Sequence, residues 1–207
     1  GEKSYSGDLR FDLDFSRDIH DGELLSQMQL YDGVMVFGDS VWNVAASQVA
    51  MHGEELTVNH FKINKGDAFV HLNGVLGKED GKRMSADVNN ISLRRLSMFV
   101  PGMQRANLFG MLSGNCVISD YQPGQDNYFE IGLQLDNWGI GKDTLGVLTL
   151  NSIWDIESQN LILRGENQYD RNIPFSLYAT YSPESDSLDM EVQLQTVRIN
   201  KLNEYFG

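Results

Sequence analysis

The stretch AFVHLNGVLGKEDGKRMSADVNN, residues Ala68 to Asn90, sets the pattern that decides the fold. Apolar and polar residues alternate in it on both sides of a turn signal, KEDGK. The alternating apolar residues are Val70, Leu72 and Leu76 before the turn, and Met84, Ala86 and Val88 after it. Because successive side chains of a β-strand point to opposite faces, the stretch predicts two antiparallel strands that share one apolar face.

The same period of two recurs along most of the chain. It is clearest in LRFDLDF near the start and in MEVQLQ near the end. Turn signals such as HDGE, NKGD and SPESDS separate these runs at intervals of about ten residues, which is typical of a meander of short antiparallel strands.

The chain is therefore predicted to be all-β. We expect an antiparallel meander of about 12–14 short strands, forming either a curved, trough-like sheet or a partly closed sandwich. Helical signal is thin: the residues LRRLSMF, Leu93 to Phe99, can form a single turn before Pro101 stops it. At most one or two short helices are expected.

Two distant stretches share one apolar rhythm. MSADVNNISLRRLSMFV, which begins at Met84, lies without a gap over MEVQLQTVRINKLNEYF, which begins at Met190, at an offset of 106 residues. The same offset holds back to Phe69 over Phe175, and further upstream a shift of six residues places Trp42 over Trp154. We interpret the echo as two homologous β units, residues 1–106 and 107–207 of one continuous sheet. The alternative is chance, because any two strands of an alternating sheet match in apolar parity.

The charge balance excludes some partners. The chain has 16 Lys and Arg residues against 29 Asp and Glu residues, so its formal net charge is −13. Such an acidic surface argues against nucleic acid and against a polybasic membrane contact, because both need clustered cations. No apolar run approaches the roughly 20 residues that span a bilayer. The chain starts with glycine and has no basic-then-apolar leader, so we expect a soluble segment of a longer protein.

Residues that could carry out chemistry are few. None of the four histidines has a second ligand at a useful spacing, and Cys116 lies in an apolar strand pattern, typical of a packed side chain. Asp12 and Asp14 share the polar face of one strand, which suits a solvated edge as well as a carboxylate pair. We expect no catalytic residue, no cofactor site and no metal site, and hence no enzyme.

The apolar face of the predicted sheet requires a cover. The sheet can fold over it, a second sheet can pack on it, or an apolar ligand can occupy it. A trough wall and a closed core give the same alternation, so both remain open at this point. The candidate lining residues are Leu9, Phe11, Leu13, Phe15, Val70, Leu72, Met84, Val88, Met190, Val192 and Leu194.

Three consecutive stretches resemble the repeats of a known family. Their order is similar to that of repeats in the AsmA-like group, and within it the translocation and assembly module (TamB) family. The three stretches are, in chain order, VWNVAASQVAMHGEELTVNHFKINKGDAFVHLNGVL, MSADVNNISLRRLSMFVPG and LFGMLSGNCVIS. Leu72, Gly74 and Leu76 match the family's L-x-G-x-L phrase. Leu93 and Leu96 match its middle leucines. Leu108, Gly110, Leu112 and Gly114 match its final L-x-G-x-L-x-G phrase.

The resemblance implies both a fold and a role. The fold would be a long sheet bent into a trough with an apolar interior, a β-taco. The role would be that of a non-enzymatic segment of a periplasm-spanning bridge, anchored in the inner membrane of a Gram-negative bacterium. In outer-membrane biogenesis, such a trough carries phospholipid or other acyl chains, or chaperones hydrophobic strands of outer-membrane proteins. The implied protein partner is an outer-membrane assembly protein.

A second interpretation belongs to a different functional class. The chain could instead be a periplasmic or surface β-sandwich that binds or adheres to glycan or protein. Exposed aromatic rings stack on sugars, and the candidates are Tyr31, Trp42, Trp138 and Trp154. The recurrence of Trp42 and Trp154 at matching points of the two predicted units favours packing for those two residues.

Overall fold

The computed structural model describes residues 5–20, 22–37, 39–77, 81–96, 107–119, 128–155, 157–169, 172–182 and 184–194. Fifteen β-strands and one short helix cover most of these residues. Their bounds are β1 Tyr5–Asp8, β2 Phe11–Arg17, β3 Leu24–Leu30, β4 Gly33–Phe37, β5 Ser40–Val44, β6 Ser47–His52, β7 Glu55–Lys65, β8 Ala68–Leu76, β9 Arg83–Ser92, α1 Leu93–Leu96, β10 Leu108–Ser119, β11 Tyr128–Ile140, β12 Asp143–Asp155, β13 Asn160–Tyr169, β14 Asn172–Ser182 and β15 Ser187–Leu194.

All fifteen strands belong to one antiparallel sheet. The main strand order is β1-β4-β5-β7-β8-β9-β10-β11-β12-β13-β14-β15, and β2, β3 and β6 form a branch in which β6 joins β7. Within the described residues the sheet does not close on itself. The prediction of an all-β chain with almost no helix is confirmed. The structure has fifteen strands in its described residues, slightly more than the predicted number of about 12–14.

The chain forms two compact units. Unit 1 comprises Gly1–Ile91 and Ser113–Ile131, and unit 2 comprises Ser92–Leu112 and Gly132–Gly207. The division into repeats at residues 1–106 and 107–207 rests on sequence similarity and stays a prediction.

The sheet of unit 1 forks at β7. The first half of β7 pairs with β6, as in the partners Leu56 and Met51, and the second half pairs with β5, as in Ile63 and Val44. Between the two ladders, the amide of Ala45 donates to the carbonyl of Lys62 at 2.9 Å. One edge of a single long strand therefore supports two shorter strands in succession.

A β-bulge lies at the fork. On the other edge of β7, Val58 pairs with Gly74 and Phe61 with Leu72, so two residues of β7 face one residue of β8. The second bulged residue, His60, has a φ of 54°, and its amide donates to Asn73 Oδ1 at 3.1 Å. The side-chain bond gives this amide a partner where the ladder is interrupted.

Gly74, the glycine of the L-x-G-x-L phrase, is required by this geometry. Its φ is 127°, and a Cβ on it would overlap the carbonyl oxygen of Arg83 and lie 2.9 Å from Met84 Cα. The main chain of β9 therefore approaches β8 more closely than any side chain at this position allows.

The core of unit 1 lies on one face of the forked sheet. Trp42 and Val44 from β5 are buried there together with Val58 from β7 and Met84 from β9. The Trp42 ring meets Phe37 edge-on, with 6.5 Å between ring centroids. Both arms of the fork thus contribute to one apolar face.

Unit 2 contains the consecutive hairpins β12-β13, β13-β14 and β14-β15. Asn167 of β13 is fully buried, and both ends of its amide have partners. Trp138 Nε1 donates to Asn167 Oδ1 at 2.5 Å, and Asn167 Nδ2 donates to the carbonyl of Leu145 at 2.9 Å. A buried polar group with satisfied hydrogen bonds fixes one register of β11, β12 and β13.

The predicted repeat needs one correction to its alignment. In unit 1, Gly74 pairs with Met84, and the offset of 106 residues carries this pair to Thr180 and Met190. The ladder of unit 2 instead pairs Met190 with Ala179. Since a shift of one residue moves a side chain to the opposite face, the ungapped alignment assigns the residues of β14 to the wrong face.

Replacing Gly74 by alanine tests the close approach. We expect Gly74→Ala to lower the free energy of unfolding by more than about 3 kcal/mol, because main-chain overlap adds to the unfavourable φ. The control is Gly66→Ala, since Gly66 has a φ of 61° but open space around a Cβ. That variant should lose only about 1–2 kcal/mol in urea unfolding, the cost of the backbone conformation alone. If both variants lost the same unfolding free energy, the overlap between a Cβ at position 74 and the main chain of β9 would carry no energetic cost, which would contradict the prediction.

Candidate functional site

The apolar face of unit 1 contains a continuous row of directly paired residues. The row crosses six strands and consists of Leu13, Met28, Val49, Val58, Gly74 and Met84. Exposure falls along it: the Leu13 side chain is 48% exposed, whereas Val58 and Met84 are 7% and 8% exposed. The apolar face is therefore buried on one side of unit 1 and open to solvent at β2.

The predicted residues of β2 lie at this open end. Phe11, Leu13 and Phe15 share the apolar face of the strand and are all exposed. Leu9 precedes the strand and is also exposed. Within the described residues β2 pairs with β3 alone, so this apolar strip lies along an edge of the sheet. We call Phe11, Leu13 and Phe15 the β2 strip.

The predicted residues of β8 and β9 lie on the same face, further inside. Val70 pairs with Val88, and Leu72 pairs with Ala86. Val70, Leu72 and Val88 are half-buried, and Met84 is buried. The two-residue period of the sequence therefore predicted correctly that all four share the face of the β2 strip. It did not predict how deeply each one is buried.

The predicted residues of unit 2 form a separate strip. Met190 and Val192 are exposed on β15, and they pair with Ala179 and Leu177 on β14. Leu194 is the last residue that the structure describes, and it pairs with Phe175. Unit 2 therefore also has exposed apolar side chains, on its last described strand.

The opposite faces of β2 and β15 are acidic. Asp12 and Asp14 alternate with the β2 strip, and Asp189 and Glu191 alternate with the apolar residues of β15. Carboxylates along an outer strand repel a second copy of that strand. Direct edge-to-edge pairing of two molecules through these strands is thus disfavoured, although their apolar faces remain open.

The aromatic residues of the glycan-binding interpretation differ in placement. Trp42 and Trp154 are both buried on the apolar faces of their units, so the prediction that they are exposed is wrong. Trp138 is half-buried and its indole is bonded to Asn167. Tyr31 donates to Asp12 Oδ2 at 2.7 Å, which raises the pKa of the phenol, and Arg10 lies 4.7 Å from its ring centroid. Two of the four rings are therefore buried, and the other two are half-buried and hydrogen-bonded.

A polar groove lies on the other face of unit 1, beside the fork. Its volume is about 700 Å³, and Ala45, Lys62, Phe69 and Asn115 are among its lining residues. The imidazoles of His60 and His71 stack in it, with ring planes 3° apart and centroids separated by 5.8 Å. We call this the fork groove.

Sequence reasoning missed the histidine pair of the fork groove. The two histidines are eleven residues apart in the chain and match no ligand spacing. The turn NKGD aligns Lys65 with Ala68, and counting back along the hairpin places Lys62 opposite His71. His60 lies two residues before Lys62 and on the same face, and no sequence motif marks the histidine pair.

The remaining chemistry candidates do not combine into a reactive centre. Cys116 is half-buried in β10, and burial raises the pKa of its thiol, which disfavours the nucleophilic thiolate. Asp12 accepts a hydrogen bond from Tyr31 and lies on the solvated face of β2. Within the described residues, no group of three or more His, Cys, Asp or Glu side chains is arranged to hold a metal ion.

Comparison with known proteins gave no match. No protein-family model, no curated protein and no solved structure matches the chain. The AsmA-like resemblance therefore stays a prediction that rests on the short phrases quoted above. No helix in the described part of the chain is long and apolar enough to cross a membrane.

Replacement of Trp42 measures how much the buried part of the apolar face stabilises unit 1. We expect Trp42→Ala to cost about 3–5 kcal/mol of unfolding free energy, since a large buried side chain leaves a cavity. Its neighbour Val41 is exposed on the other face, so Val41→Ala should change stability by less than about 0.5 kcal/mol. Urea unfolding followed by circular dichroism checks both, and equal losses would contradict the assignment of faces.

Proposed function

We propose that the chain is a non-enzymatic carrier segment that binds lipid acyl chains on its apolar face. The observation that carries the proposal is the row from Leu13 to Met84, in which Met84 and Val58 are buried and Leu13, on β2, is exposed. An acyl chain laid on the open end would cover the exposed side chains of β2. Binding of this kind needs no polar or catalytic group.

The geometry of the β2 strip suits an extended hydrocarbon. With strands rising about 3.3 Å per residue, Phe11 to Phe15 spans about 13 Å. Each methylene removed from water contributes about 0.8 kcal/mol, so a chain lying along this length gains several kcal/mol before ordering costs are counted. Two phenylalanines and a leucine supply the contact surface.

The location and partners proposed for the chain rest on the family resemblance. A periplasmic segment of a bridge between two membranes, anchored in the inner membrane, would pass phospholipid along its apolar face. An outer-membrane assembly protein would receive the cargo or act beside it. The exposed strips of units 1 and 2 support this role, because a transfer path needs more than one open apolar surface.

A double substitution in the β2 strip tests acyl binding. We expect Leu13→Thr with Phe15→Thr to raise the Kd for cis-parinaric acid by about tenfold or more, because most of the contact surface is lost. Threonine keeps the β-strand preference, and both positions are exposed, so the fold should persist. Saturable fluorescence enhancement of the fatty acid measures the Kd.

The matched control changes the opposite face of the same strand. Asp14→Thr with Ser16→Thr introduces the same residue at neighbouring positions and should leave the Kd unchanged. Lipid extraction and native mass spectrometry of the protein purified from cells provide a second readout, in which co-purifying phospholipid is expected. Equal loss of affinity in both double variants, or no saturable binding and no bound lipid, would overturn the proposal.

A further inference from the structure

The fork groove lies on the face of unit 1 that points away from the acyl-binding surface. Lys62, His71 and Asp87 are direct neighbours across β7, β8 and β9, so their side chains share this polar face. Val70 and Val88, which pair beside them, point to the apolar face. A ligand in the fork groove is therefore separated from the apolar face by the thickness of the sheet.

Donors outnumber acceptors among the groove's ionisable side chains. Lys62 is a cation with three donors, and each imidazole carries at least one N–H even when it is neutral. Asp87 is the one acidic residue among the described residues that line the groove. Its Oδ2 atom lies 3.6 Å from Nδ1 of His71. That contact orients the His71 ring. The second ring nitrogen, Nε2, takes no part in it.

Each of the three donor side chains contacts a neighbour in the groove, although Lys62 and His60 are exposed. The Lys62 ammonium lies 4.8 Å from the Phe69 ring centroid, a cation–π contact that holds it over the groove. His60 is set by the bulge and stacks on His71. Pre-positioned donors bind an anion with less loss of conformational entropy than freely moving surface lysines.

The room in the fork groove comes from small residues. Ala45, Ala46 and Gly114 line it, and its volume of about 700 Å³ is within the range of small-molecule sites. This is more space than a bare inorganic ion needs. Phe69 and the stacked imidazoles add flat surfaces against which the remainder of a ligand can pack.

From this arrangement we infer that the fork groove binds a phosphate-bearing small molecule, with Lys62, His60 and His71 as donors to the phosphate oxygens. Lysine and imidazole N–H groups form strong, charge-assisted hydrogen bonds with phosphate. The inference does not depend on acyl binding, because the donors Lys62, His60 and His71 lie on the face opposite to the β2 strip.

Titration with inorganic phosphate and with glycerol phosphate tests the inference directly. Nitrogen and proton NMR spectra of the imidazoles should show saturable shifts for His60 and His71. The chain has two other histidines, His20 and His52, which lie outside the groove lining and should not shift. Absence of saturable shifts with both probes, or equal shifts of all four histidines, would overturn the inference.

Two charge substitutions should act in opposite directions. Lys62→Met keeps an apolar stem but removes the cation, and should weaken glycerol phosphate binding by about tenfold. Asp87→Asn removes the carboxylate and should tighten binding by about threefold, because it relieves repulsion of the anion. Lys142→Met, on an exposed turn of unit 2, is the matched control and should have no effect.

Two further results bear on the nature and source of the ligand. If Zn²⁺ binds in place of phosphate and Asp87→Asn abolishes that binding, the fork groove is a cation site and the inference is wrong. Vesicles containing phosphatidylglycerol distinguish a lipid headgroup from a free phosphate ester. Lys62-dependent binding to such vesicles would support the inference with a headgroup as the source, and Lys62-dependent binding of glycerol phosphate alone would support it with a soluble ester.

Discussion

One edge of β7 must satisfy the backbone hydrogen bonds of two different strands, and the architecture of unit 1 follows from this constraint. The eleven-residue strand is long enough for β6 to pair with its first half and β5 with its second half. Two strands cannot occupy the same ladder positions, so the ladder is interrupted between them. The bulge at His60, in the ladder with β8 on the other edge, and the left-handed backbone there lie at the level of that interruption.

The fork also explains why the apolar face is covered on one side only. Its β5 arm contributes Trp42 and Val44, which are buried on the apolar face, whereas the arm of β6, β3 and β2 ends in an exposed strip. A single sheet with a fully exposed apolar face would aggregate, and a fully closed one would leave no surface for a ligand. The arrangement of unit 1 is intermediate between these extremes, and this is the physical basis of the proposed carrier role.

Much of this could be predicted from alternation alone. Val70, Leu72, Met84 and Val88 were assigned to one face because the strand period is two, and the ladders place them together. The sequence could not reveal burial, since Leu13 and Met84 follow the same alternation but differ widely in exposure. It also could not reveal the fork, because pairing of one strand with two neighbours depends on hydrogen bonds between residues distant in sequence.

The bulge and the turn of the β7-β8 hairpin together decide which side chains share a face. The turn pairs Lys65 with Ala68, and the regular ladder from there pairs Lys62 with His71 and places Phe61 and Ile63 on the apolar face. Across the bulge, two residues of β7 face one residue of β8, so Val58 lies on the same face as Phe61 although the two are three positions apart. In a regular ladder Val58 would lie on the polar face, and the apolar row from Leu13 to Met84 would be broken. The continuous apolar row therefore depends on the bulge, whereas the pairing of Lys62 with His71 depends on the turn.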